Sequence, residues 1–147
     1  MRPNIVRRGV AAALLGAGAA ALAANPAGAD PVGVASGCII TITQVQALDL
    51  QESSKDEVYF TLGGTRYPNG GAEVPFTYLA THPGADFDSP SVFVPAGGYT
   101  TLSGFEADWP SADDSLGSAR LTCTSSSPVD LVTSYSRYRV WFGITAV

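Results

Sequence analysis

The chain has 147 residues, with 8 Lys and Arg against 13 Asp and Glu. Arg2, Arg7 and Arg8 lie in the first eight positions, so the remainder keeps five basic residues against all 13 acids, a net charge of −8. That balance argues against nucleic acid and anionic lipid surfaces as partners, and the 118 residues after position 29 supply one domain with one core, not two.

Residues 1–29 read as a cleaved export signal. The three arginines form a positive region, Val10 to Ala24 is an apolar run of Ala, Leu and Gly, and Ala27-Gly28-Ala29 is the small-x-small pattern that signal peptidases cut. The run is too short and too weakly apolar for a membrane span, and no later stretch approaches one. Arg7-Arg8 leaves a twin-arginine route open beside the general secretory one, and either route makes the protein extracellular. Residues 30–37 read as a flexible tail ahead of a domain over 38–147.

Within that domain no segment shows helical periodicity, and short strand-like runs are broken by Gly, Pro, Asn and Asp. The expected strands are Cys38–Leu48, Glu57–Gly63, Glu73–Ala80, Ser91–Pro95, Tyr99–Glu106, Ser118–Cys123, Leu131–Ser134 and Tyr138–Thr145. Val58, Phe60 and Leu62 alternate with Tyr59 and Thr61, and Tyr138, Val140, Phe142 and Ile144 alternate with Arg139, Trp141 and Gly143. Such strands are half-buried and antiparallel, and about eight of them in one domain predict an all-β sandwich or barrel, C2-like or immunoglobulin-like. Apolar parity flips between Ile42 and Val45, which predicts a bulge in the first strand. TRYPNGG (Thr65 to Gly71) and PAGG (Pro95 to Gly98) carry turn chemistry. Tyr67, Tyr78, Tyr135 and Tyr138 read as sheet packing.

Cys38 and Cys123 are the two cysteines, and an even count in an exported domain reads as one disulfide. Closing so long a loop stabilises the fold by about 4 kcal/mol in the chain-entropy view.

The acids concentrate in two inter-strand stretches, DLQESSKDE (Asp49 to Glu57) and EADWPSADD (Glu106 to Asp114). Calcium takes six to eight oxygen ligands, and carboxylates a few residues apart on a loop can wrap one ion. A strand ending in Leu48-Asp49, a short polar loop, Asp56 and then a strand containing Tyr59 resembles the first calcium loop of a C2 domain. Glu106-x-Asp108, then Asp114, then Leu116-Gly117 and an apolar strand resembles that family's third calcium loop. The resemblance spans roughly residues 38 to 123. It implies calcium as cofactor, Asp49 and Asp56 as first-loop ligands and Glu106, Asp108 and Asp114 as third-loop ligands, with Asp113 a spare neighbour. The sequence departs from the family in a first loop one residue longer, in Glu57-Val58 where Asp-Pro-Tyr is usual, and in Glu106 where an Asp is expected. Few basic residues accompany the loops, which sets aside the family's lipid-binding side, and Trp109 is the candidate ligand contact. Asp86 and Asp88 read as loop residues.

The resulting expectation is a secreted, non-enzymatic binding module whose calcium loops order a surface for another secreted or cell-surface protein or a cell-wall glycan. The Ala/Gly-rich composition resembles exported proteins of high-GC Gram-positive bacteria. An adaptor subunit of a larger secreted particle, such as an actinobacterial umbrella-type toxin, fits the same size and export signal. A small hydrolase has only His82, the single histidine, to build on, with none of the signals of a nucleophile elbow.

Overall fold

The computed structural model describes residues 36–108 and 110–147. The proposed signal peptide, most of the proposed tail and Trp109 lie outside the described residues. The described residues form ten strands in two antiparallel five-stranded sheets packed face to face, as the alternating runs predict. The strands are β1 (Gly37–Asp49), β2 (Asp56–Leu62), β3 (Thr65–Tyr67), β4 (Val74–Phe76), β5 (Thr81–Pro83), β6 (Ser91–Pro95), β7 (Thr100–Glu106), β8 (Asp114–Leu121), β9 (Val129–Val132) and β10 (Arg137–Ala146). The first sheet runs β5-β1-β10-β9 with β6 also on β1, and the second runs β3-β2-β7-β8 with β4 also on β2. Among the described residues no helix is long and apolar enough to cross a membrane.

Inward residues of the two sheets form one core. Ile40, Ile42, Val45, Val58, Phe60, Leu62, Leu102, Leu121, Tyr138 and Val140 are buried, and Phe142 nearly so. Ile144, inward by its alternation, is 36% exposed although its partner Ile40 is fully buried, because β9 pairs with β10 only as far as Val140 and leaves the rest of that side of the strand open. The bulge is present: Ile42 pairs with Phe142 and Gln44 with Trp141, leaving Thr43 as the extra residue. Gly84 packs against this bulge so closely that a Cβ would stand 2.2 Å from the Ile42 carbonyl oxygen. The Cys38–Cys123 disulfide is formed, with Cα atoms 5.6 Å apart, and joins β1 to the segment just after β8.

Two expected boundaries are corrected. TRYPNGG is not all turn, since Thr65–Tyr67 pairs with β2 through a two-residue hairpin whose Gly63 and Gly64 both have positive φ, 60° and 85°. That primed-turn geometry suits a β-hairpin, and the strand it starts is too short to show an alternating pattern. The run Glu73–Ala80 holds only β4 and a turn at 77–80, after which β5 (Thr81–Pro83) joins the other sheet, so the chain crosses from one sheet to the other there. Leu79 holds that turn with φ of 62°. Phe87, in a one-turn 3₁₀ segment (Gly84–Phe87) whose sequence carries only loop signals, is fully buried against Phe60 and Phe76.

The sheet registers put four connections at one end of the sandwich. β1 ends at Asp49, opposite Arg137 where β10 begins, and β7 ends at Glu106, opposite Asp114 where β8 begins. Asp56 opens β2 opposite Phe76, the last residue of β4. Loops 50–55, 77–80, 107–113 and 133–136 therefore share this end with both acidic stretches.

Candidate cation site at the acidic end

Loop 50–55 is shaped by a buried carboxylate. Asp56 is fully buried, its Oδ2 accepting from the Gln51 backbone N–H at 2.9 Å and its Oδ1 from the Glu52 N–H at 2.9 Å. The Tyr138 hydroxyl of β10 donates to Oδ2 at 2.5 Å. Burial, and then this bond to a carboxylate, push the Tyr138 hydroxyl far above its ordinary pKa. Three donors thus satisfy a charge that would be costly to bury alone. The Gln51 side-chain amide then donates to Asp114 Oδ2, tying the loop to the start of β8.

This clamp presents Glu52 to the end of β7. One carboxylate oxygen each from Glu52, Glu106 and Asp108 lies within 4.8 Å of the other two. Glu106 is 1% exposed, although β7 carries it to the rim of the sandwich. Its Oε1 takes a long 3.4 Å bond from the Glu57 N–H, and its Oε2 is buried without a hydrogen-bond partner among the described residues. Burial raises the Glu106 pKa to about 7, against the Glu57 N–H bond that lowers it, and the neighbouring Asp108 and Glu52 raise it further. Two unit charges at that separation repel by roughly 3 kcal/mol at an effective dielectric of 20. A bound cation, or a proton held between carboxylates, relieves that repulsion.

The three carboxylates open into a cleft of about 630 Å³ on the rim of the second sheet, walled also by Glu57, Arg66, Glu73, Ser111 and Asp113. Its walls are braced. Tyr59 donates to Asp113 Oδ2 at 2.7 Å and stacks on Phe105 at 5.1 Å, while the Arg66 guanidinium lies 3.7 Å above the Tyr59 ring and pairs with Glu73. Burial and the Asp113 bond raise the Tyr59 hydroxyl to about 12, so it stays a donor. Lys55 caps Glu57 at 2.6 Å from the solvent side. A second cleft of about 370 Å³, lined by Asp49, Leu50, Gln51, Glu52, Ser53 and Tyr78, lies on the other side of Glu52.

The ligand set implied by the C2 resemblance is divided by this geometry. Glu106 and Asp108 meet in the three-carboxylate group. Asp56 faces inward and is committed to its three donors, Asp114 accepts from Gln51, and Asp49 is exposed in the second cleft. Asp113, the spare neighbour, holds Tyr59. Asp88 accepts from the Asn69 N–H at 2.7 Å and Asp86 meets His82 at 2.8 Å, consistent with loop roles. Glu52 was missed. Its signal in the sequence was the acid between Asp49 and Asp56, and only the Asp56 clamp shows that this mid-loop position is the one turned toward β7.

No protein-family model matches the chain, and no curated protein matches it. The class that fold and site define is a disulfide-linked antiparallel β-sandwich with an acidic cleft at one end, and the C2-like resemblance rests on the chain's own residues.

Proposed function

We propose that this protein is a secreted, non-catalytic binding module, similar to a C2 domain in layout, that holds a hard divalent cation, calcium in the extracellular setting, between Glu52, Glu106 and Asp108. The observation that carries this reading is the buried Glu106 Oε2, without a partner among the described residues, inside a group of three converging carboxylates. Calcium takes oxygen ligands in flexible geometry, so three carboxylates from two loops suit it and leave positions for water or a ligand. The cation would tie loop 50–55 to loop 107–113 and fix the rim of the cleft. Export is supported by the leader-like first 29 residues and by the disulfide, which persists in oxidising compartments. His82 offers little to catalysis, since Asp86 and the Phe76 ring hold it outside the acidic cleft.

Thermal melting of the oxidised protein with calcium and then with chelator tests this. Ligand at 100 times its Kd stabilises the native state by about 2.7 kcal/mol, roughly 10 °C for a domain of this size. Asp108→Asn and Glu106→Gln should each remove most of that rise. Glu106→Gln should also melt higher than wild type in chelator, because it deletes a buried charge. Identical melting of all three proteins in both conditions excludes the cation reading.

A further inference from the structure

The acidic end also carries exposed apolar side chains that the core does not account for. Tyr78 and Leu79, in the turn between β4 and β5, are 64% and 50% exposed, and Val132 and Tyr135, at the β9–β10 hairpin, are 57% and 75% exposed. Tyr78 and Tyr135 thus depart from the sheet-packing role their sequence suggested. Both connections are firmly held. The Ala80 N–H bonds the Thr77 carbonyl and Ala80 in turn accepts from the Ala47 N–H of β1, while the Thr133 N–H bonds the Ser136 carbonyl.

Leu79 is the informative residue. A branched side chain at φ of 62° is strained, and Asn or Gly would hold this backbone at lower cost. Stability alone does not favour Leu there, nor does burial, because half of it faces water. Its remaining use is contact with something outside the chain.

We propose that this end is a docking surface for a basic, apolar polypeptide segment of a partner protein. Turn 77–80 sits beside β5 and hairpin 133–136 joins β9 to β10, so the order β5-β1-β10-β9 separates the two apolar tips by three strand spacings, about 14 Å. Some five extended residues span that distance. Between the tips lie exposed Asp49 and the second cleft, whose charged side chains among the described residues, Asp49 and Glu52, are both acidic; exposed Arg137, opposite Asp49 on β10, lies there too, its charge answered by Asp130. An apolar partner side chain would rest on Tyr78 and Leu79 while a neighbouring Lys or Arg meets these carboxylates. The chemistry disfavours the other occupants. Sugars would stack on Tyr78 and Tyr135 but gain nothing from Leu79 or Val132, an anionic bilayer is repelled by the net charge of −8 that follows the leader, and a second copy brings the same charge to itself. This inference rests on the binding-module reading but not on the cation.

The test is an amide-shift titration of the isotopically labelled secreted protein with a synthetic hexapeptide of alternating Lys and Leu, in calcium and in chelator. Its twin with Glu for Lys serves as control. Expected are shifts confined to residues 49–53, 78–80 and 132–135, affinity that falls with salt, and no binding of the acidic twin. Leu79→Asn should weaken the basic peptide at least tenfold while raising the melting temperature, an outcome that separates contact from a folding role. Shifts elsewhere, equal binding of the acidic twin, unchanged affinity in Leu79→Asn, or retention on anionic vesicles or insoluble polysaccharide with the peptide inert overturns the proposal. Peptide binding in chelator with no calcium-dependent melting would leave it standing and remove the cation reading alone.

Discussion

Replacing Tyr138 by Phe removes one hydroxyl and leaves the ring, which packs edge-on to Phe76 at 5.5 Å. The hydroxyl donates at 2.5 Å to Asp56, a fully buried carboxylate whose other donors are the two backbone amides of the loop carrying Glu52. A hydrogen bond to a charged group contributes about 1.5–3 kcal/mol net, and its loss here leaves a buried lone pair without a partner. Tyr138→Phe should therefore destabilise the domain by about 2 kcal/mol and lower its melting temperature by roughly 8 °C. Urea unfolding in chelator measures this, with an unchanged m value showing that only the native state is altered. Calcium titration of the same variant measures the second consequence: with its anchor loosened, loop 50–55 presents Glu52 less consistently, and affinity should fall several-fold although no ligand atom has been removed. A double-mutant cycle with Asp56→Asn should show coupling of at least about 1 kcal/mol. A loss below about 0.5 kcal/mol, or additivity in the cycle, would refute the clamp.

Three further outcomes follow from the same geometry. With the folded Glu106 pKa raised to about 7 from 4.5, the folded state binds the extra proton between those values; stability in chelator should fall as pH rises from about 4.5 to 7 and then level, and urea midpoints for wild type and Glu106→Gln across that range check it. Asp130, held down to about 2 by Arg139 and Arg137, works in the opposite sense: its contribution is present above the ordinary Asp range and is lost as pH falls toward 2, so Asp130→Asn should flatten the acid limb of the stability curve. Gly117 has φ of 104°, and a Cβ there would stand 2.8 Å from the Val132 backbone N and 3.0 Å from its O; Gly117→Ala should cost about 3 kcal/mol from strain and forced separation of β8 from β9, read as a melting temperature lower by about 10 °C.

Much of the architecture was legible because period-two alternation reports directly on a two-layer sheet. Val58, Phe60 and Leu62 face inward as their spacing predicts, and the parity flip after Ile42 marks the bulge at Thr43. What stayed hidden lacks periodicity. Three-residue strands such as β3 and β5 carry no pattern, and their pairing is imposed by the Gly63-Gly64 hairpin and the turn at Leu79. Leu116 and Gly117 looked like the end of a loop, yet both lie within β8, where the positive φ of Gly117 accompanies a register irregularity. In the site, the sequence showed where acids are dense but not which way each points. Asp56 and Glu52 differ by four positions, and the pleat at the start of β2 turns one into the core and leaves the other at the rim. Tyr59 is a similar case. Its outward parity is real, but Arg66 and Phe105 cover it to 8% exposure.

The pairing of β1 with β10 sets the order in which the molecule can fold. These strands form the longest ladder, from Cys38 opposite Ala146 to Asp49 opposite Arg137, and both are interior to their sheet. Neither has its principal neighbour until about a hundred residues of intervening chain have been made, so contact order is high and the β1–β10 ladder cannot form until residues 137–146 exist. A chain leaving the ribosome can form the β2-β7-β8 sheet, but half of its core lies uncovered until residues 137–146 arrive. Such a chain stays open late into synthesis. That open state suits the export proposed above, in which a chain passes its channel as a thread before its disulfide closes.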